Sequence, residues 1–132
     1  MAIQETKVYT GLKSFEDLLI WQEARQLRND VFTLATSFPL EEKYRLGDQI
    51  TRSSRSIGNN IAEGYGRYHF QEFIQYCRQS RGSLQETKDH LICALDCNYI
   101  DDVTFANFNL KIDSLNKKIN GFIKYLKTQK DL

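Results

Sequence analysis

From Asp17 to Phe38 the apolar residues Leu18, Trp21, Ala24, Leu27, Val31, Leu34 and Phe38 recur at steps of three and four, which sets them along one face of a helix. Ser14 stands where an N-cap would, with Asp17 completing an acidic form of the capping box, and Pro39 disfavours helical geometry at Phe38. A second run, Leu46, Ile50, Ser53, Ile57 and Ile61, keeps the same spacing and ends at Gly64 and Gly66, residues suited to a left-handed termination. The third passes through Phe70, Phe73, Ile74, Cys77, Leu84, Leu91, Ala94 and Leu95. It covers about 28 residues, or roughly 42 Å at the helical rise. After Asn98 a turn through Asp101 and Asp102 leads into a fourth stripe of Val103, Phe108, Ile112, Leu115, Ile119, Phe122, Ile123 and Leu126.

Four amphipathic helices with short connections bury their stripes best as an antiparallel up-and-down bundle, so the expected fold is all-α. The chain has a single proline, Pro39, and no competing strand-like alternation. Residues 1–13 carry no pattern and are expected to form a flexible arm, 14–128 the bundle and 129–132 a frayed end. Ser53, Ser54, Ser56, Asn60, Gly82 and Ser83 lie beside the stripes, where they allow close helix approach or a hydrogen-bonded interior.

Composition narrows the class further. A chain of 132 residues with 41% hydrophobic and 27% charged residues suits one globular domain. No apolar run approaches the roughly 18 residues of a membrane span, and the N-terminal sequence lacks a secretory pattern, so a soluble cytoplasmic protein is expected. The three cysteines, Cys77, Cys93 and Cys97, fall inside apolar-periodic sequence and are expected to be reduced thiols.

Candidate chemistry is sparse. His90, Cys93 and Cys97 share one helix face at metal-ligand steps, but the cysteines read more simply as small buried hydrophobes, and a fourth ligand is not evident. His69 lies in a connection with no nucleophile nearby and suits a surface or capping role. Glu41, Glu42, Asp101 and Asp102 sit at helix starts, where acids favour the positive end of the dipole. The Gly64-Tyr65-Gly66 segment follows no strand and leads to no phosphate-binding lysine, so it reads as a helix end. No catalytic residue, metal or cofactor is expected.

What remains is a basic ridge. Arg45, Arg52, Arg55 and Asn59 recur at seven, three and four on the polar side of the second helix, and Arg67 follows it. Between Lys43 and Lys88 stand eight basic and four acidic residues, in a chain whose net charge is +1. These arginines suit either phosphate or salt bridges between helices or subunits. Lys111, Lys117, Lys118, Lys124, Lys127 and Lys130 give the fourth helix a solvated face or a second basic strip.

Phe15-Glu16-Asp17-Leu18, Trp21-Gln22, Phe38-Pro39, Gln49-Ile50 and above all Ser56-Ile57-Gly58-Asn59-Asn60-Ile61-Ala62-Glu63-Gly64 resemble the four-helix bundle proteins encoded in intervening sequences of bacterial 23S ribosomal RNA genes. The likeness continues through Arg67, Phe73, Gly82-Ser83 and Glu86 to Tyr99. That family is similar to the accessory variability proteins of diversity-generating retroelements, which form five-subunit barrels. The resemblance implies a homopentamer with an RNA or DNA partner and no enzymatic activity, its basic surface drawing on Arg52, Arg55 and Arg67. This chain departs from the family pattern at Thr51-Arg52, where an arginine pair is common, at Gly58, where proline is, and at Arg45, where glycine is. Two functions follow as expectations: an oligomeric binder of structured RNA or DNA through Arg45, Arg52, Arg55 and Arg67, or a scaffold docking a polypeptide such as a reverse transcriptase through Tyr65, Tyr68 and Phe70.

Overall fold

The computed structural model describes residues 12–129 and folds them into four helices with no strand among the described residues. They are α1 (Leu19–Ala35), α2 (Leu46–Gly66), α3 (Phe70–Asp96) and α4 (Asp102–Lys127). Each packs mainly on its neighbour in sequence, α2 against α3 most extensively, and α1 and α4 close the bundle more loosely. The chain is therefore the all-α four-helix bundle its periodicity predicts. No described helix is long and apolar enough to cross a membrane.

Ser14 and Asp17 form the expected capping box, but it caps a separate 3-10 turn, Phe15–Asp17. Leu18 then adopts extended geometry (φ −76°, ψ 126°), and α1 starts one residue later. Leu12 packs on the core and the Lys13 backbone N–H donates to Asp17 Oδ2 at 2.8 Å, while residues 1–11 and 130–132 lie outside the described residues. At the other end α1 stops at Ala35, yet Phe38 stays buried in the turn and meets Tyr99 at 5.8 Å between ring centroids.

The end of α2 corrects a prediction. Neither Gly64 nor Gly66 carries the left-handed turn: Arg67 remains right-handed, and Tyr68 (φ 57°) makes the reversal. Gly64 serves packing instead. A Cβ there would lie 2.8 Å from both Phe73 Cδ1 and Tyr76 Cβ on α3. Asn98 (φ 61°) makes the corresponding reversal after α3, and Asp101 caps α4 by accepting from the Thr104 N–H at 2.8 Å. That bond holds the Asp101 carboxyl below its ordinary pKa.

The core joins isoleucines and leucines of all four helices, including Ile50, Ile57, Ile61, Leu84, Leu91, Ile112 and Ile119, each fully buried. Val103, predicted to lie in the fourth stripe, is 69% exposed because helical rotation places it, with Leu110, on the side of α4 opposite Phe105, Phe108 and Ile112. Between α2 and α3 the core turns polar. Ser53 Oγ and Thr87 Oγ1 lie 2.9 Å apart, Ser56 Oγ and Ser83 Oγ 2.8 Å apart, and Ser80 Oγ donates to the Ile57 carbonyl at 2.8 Å. Asn60 Nδ2 joins this seam by donating to the Ser56 carbonyl at 2.9 Å. Hydroxyls this small let two backbones approach, and their bonds remove the cost of burying them.

At the end of the bundle where the α1–α2 and α3–α4 connections meet, the Tyr99 hydroxyl donates to Glu42 Oε2 at 2.7 Å. The carboxylate acceptor, with lesser help from burial, pushes the Tyr99 phenol up to about 12. Because the folded value lies above the ordinary 10, its contribution to stability is whole below pH 10 and is lost as pH rises through 12.

Two tests follow. Gly64→Ala should destabilise the bundle by about 1–3 kcal/mol in denaturant unfolding, because Phe73 and Tyr76 must shift. Gly82→Ala, in open space on a helix, should instead stabilise it by about 0.5–1 kcal/mol. In an alkaline absorbance titration Glu42→Gln should return the Tyr99 transition toward 10, while burial keeps that of Tyr65 raised.

A cationic face on the first two helices

Burial of Ile50, Ile57 and Ile61 fixes the rotation of α2 and turns Arg52, Arg55 and Asn59 to solvent. Arg45 immediately precedes the helix and is exposed as well. A cation at that end opposes the helix dipole, so Arg45 gains nothing from α2. The expected quartet divides by its partners. Arg52 Nε pairs with Asp48 Oδ2 at 3.3 Å, and Arg67 Nη2 pairs with Glu63 Oε2 at 3.5 Å while donating to the Tyr76 hydroxyl at 2.8 Å. Arg45 and Arg55 form no ion pair among the described residues.

The neighbouring helix supplies cations that the ridge on α2 did not reveal. On α1, Glu23 and Asp30, seven residues apart, face α4 and pair with Lys118 at 2.7 Å and Lys111 at 3.0 Å. Arg25 and Arg28 project elsewhere, their guanidinium carbons 5.7 and 5.9 Å from the Trp21 ring centre. Neither makes an ion pair among the described residues. The Arg55 guanidinium lies 6.0 Å over the ring of Phe32, which α1 leaves 52% exposed. Thus α1 sends its carboxylates to one flank and its guanidiniums to the other. Spacing held the signal: Trp21, Arg25, Arg28 and Phe32 follow one another at steps of three and four beside the apolar stripe.

Between α1 and α2 a half-open cavity of about 340 Å³ is lined by Arg28, Asn29, Phe32, Arg55 and Asn59. Phe32 and Arg55 also border a groove of about 540 Å³ that runs past Thr51 to Leu40, Lys43 and Tyr44. In the other direction Asn59 leads to a shallow depression beside Arg67. Arg55 is therefore central, Arg67 lies at one end, and Arg45 and Arg52 line none of these three hollows.

Other expected sites resolve differently. Lys111 and Lys118 of α4 face the carboxylates of α1, and Lys88 of α3 approaches Asp113 at 4.0 Å, so these lysines cross-link helices. Tyr65 and Phe70, expected as exposed anchors, are 7% and 2% exposed because they close the core beside Phe73; Tyr68 alone of the three is on the surface. Cys93, expected to be buried, is exposed, as is Cys97, because α3 turns Leu91 and Ala94 inward. Cys77 is buried, and burial pushes its thiol up to about 12. Local desolvation at the helix surface and then the adjacent Cys97 raise the Cys93 thiol. His90 faces Glu86 at 3.3 Å, and the described residues hold no group of three or more ligands arranged for a metal ion. His69 precedes α3 without a side-chain capping bond.

The fold and this face define a four-helix bundle with a cationic, aromatic-studded surface on α1 and α2. The model of the 23S rRNA-intervening sequence protein family matches residues 16–121, and the chain belongs to that family. It is also similar to a crystal structure of a protein of unknown function from the S23 ribosomal protein family of Bacteroides thetaiotaomicron, with 23% identity over 80% of this chain and 96% of that one, at a TM-score of 0.75. No curated protein matches the chain. Neither similarity indicates an enzyme family.

The thiols give a direct check of the α3 register. In native protein an aromatic disulfide reagent should label Cys93 and Cys97, with the Cys93 rate climbing as pH approaches its raised pKa. Cys77 should react only on unfolding.

Proposed function

We propose that this chain is a non-enzymatic, oligomeric binding protein of the cytoplasm whose α1/α2 face engages the phosphodiester backbone of RNA or DNA. The observation that carries this reading is the sorting of charge on α1. Glu23 and Asp30 are committed to Lys118 and Lys111, which leaves Arg28, in the same cavity as Arg55, and Arg25, against Trp21, with no carboxylate partner among the described residues. Guanidiniums without a partner are available to phosphate, and burying the cavity mouth under a polyanion would satisfy them. Arg45, which opposes its own helix dipole, adds an exposed cation just before α2, outside the hollows themselves. Arg52 and Arg67 contribute less because Asp48 and Glu63 already offset them.

The homopentamer suggested by family resemblance fits with this face remaining open. Val103 and Leu110, both 69% exposed and seven residues apart on α4, offer an apolar strip for subunit contact on a different helix. The second reading, a scaffold for a partner polypeptide, draws on Leu40 and Tyr44, which are 84% and 83% exposed.

Titration of nucleic-acid-free protein with structured RNA and with duplex DNA, at low and near-physiological salt, tests the proposal, and sedimentation of the same sample gives the subunit number. Affinity should fall steeply with salt. Arg28→Gln combined with Arg55→Gln should flatten the log–log salt slope by about 2, roughly 1 for each arginine removed from a phosphate. Arg67→Gln should change it less. Absence of binding to either polymer at low salt would move the function to the protein scaffold.

A further inference from the structure

Resting on the reading above, we infer that the α1/α2 face holds an unpaired nucleic-acid strand, with its bases stacked on Phe32 and Tyr44 and its phosphates on the arginines beside them. The two rings stand on the same groove, and each carries a cation of its own: the Arg55 guanidinium lies 6.0 Å from Phe32, and the Lys43 ammonium 5.4 Å from Tyr44. Farther along α1, Trp21 has Arg25 and Arg28 against it. Aromatic faces interleaved with cations are what a single strand requires, since every base has a π-face and every linkage a charge.

A duplex makes poor use of this arrangement. Its bases are stacked on one another and its rigid backbone would meet only the rim, leaving Phe32 and Tyr44 uncovered. A flexible strand can turn its bases into a concave groove. Asn29 and Asn59 line the cavity beside Phe32, and neither side-chain amide has a hydrogen-bond partner among the described residues. Each presents a donor and an acceptor at the position where a base edge would arrive. The cavity of about 340 Å³ is within the range of clefts that enclose small planar ligands.

A second copy of the chain is the competing occupant. A two-fold contact through this face would bring Arg28, Arg55 and Lys43 toward their own counterparts, juxtaposing like charges around the rings. A polyanion complements the same charges.

The test compares an oligouridylate with an RNA duplex of equal length, following fluorescence of Trp21, the single tryptophan of the chain, and anisotropy of a labelled strand. Oligouridylate should quench Trp21 and bind more tightly than the duplex. Phe32→Leu and, separately, Tyr44→Ala should each weaken oligouridylate about tenfold, the size of one base–aromatic stack, and leave duplex affinity unchanged. Tyr44 is largely exposed and Phe32 half exposed, and circular dichroism of each variant verifies the bundle. Equal binding of strand and duplex, indifferent to both substitutions, would overturn the unpaired-strand inference while leaving the phosphate reading intact. Failure of both polymers to bind would overturn both. If either substitution dissociated the oligomer without altering strand affinity, the face would belong to a second copy and the inference would fall.

Discussion

The close approach of α2 to α3 through a seam of hydroxyls is the constraint on which the rest of the molecule depends. Ser53 and Thr87 each reach a carbonyl of their own helix, Ile50 and Ser83 respectively, and also reach each other. Two hydroxyl protons thus serve three hydrogen bonds, and a backbone bond is relinquished whenever the hydroxyls bond one another. Such a seam is directional where an all-leucine interface would not be. It fixes the rotation and register of α2 on α3, with Ser80 on the Ile57 carbonyl and Gly64 under Phe73 and Tyr76 as further pegs. A slip of one residue would take the Ile57 carbonyl from the buried Ser80 hydroxyl, at about 1–3 kcal/mol, while Ser53 and Thr87 would keep only the carbonyls of their own helices.

Because α2 is held in one rotation, its opposite side is held as well. Arg55 meets Phe32 across the helix boundary, and Trp21 of α1 lies over Gly58, whose added Cβ would stand 3.4 Å from the indole nitrogen. The ion pairs of Glu23 and Asp30 with α4 fix α1 from its other flank. Individually such exposed pairs add little stability. Their larger consequence is electrostatic, since they remove the acids of α1 from the side where its arginines gather. A chain with a net charge of +1 thereby presents a cationic face without being a basic protein.

Much of this is legible in the sequence, and the failures are instructive. The stripes of Ile50, Ile57 and Ile61 and of Ile112, Leu115 and Ile119 lead directly to the core, because helical period and burial coincide there. Ser80 and Thr87 escape such a reading: their hydroxyls stand in the gaps between Cys77, Leu84 and Leu91, and hydropathy cannot distinguish a polar residue bonded inside from one in water. Cys93 is misplaced for the converse reason, since an apolar residue next to a core stretch need not face it. The arginines of α2 are legible as a ridge, but their partners are not. Asp48 and Glu63, each one helical turn before the arginine it meets, offset Arg52 and Arg67, while Arg28 joins the face from another helix.

The α1/α2 face also departs from what stability alone would select. Leu40 and Tyr44 are largely bare, Phe32 is half bare, and Arg45 stands at the positive end of a helix. None of these helps the isolated bundle, and the exposed rings beside guanidiniums are the features on which the proposed strand contact rests. On α4, Val103 and Leu110 are likewise bare, but only on the α1/α2 face do exposed rings stand beside guanidiniums that lack an ion pair among the described residues. The hydroxyl seam behind that face has every described hydroxyl bonded. Rigidity on the inner side of α2 and unmet valence on its outer side are thus two consequences of one fixed helix rotation.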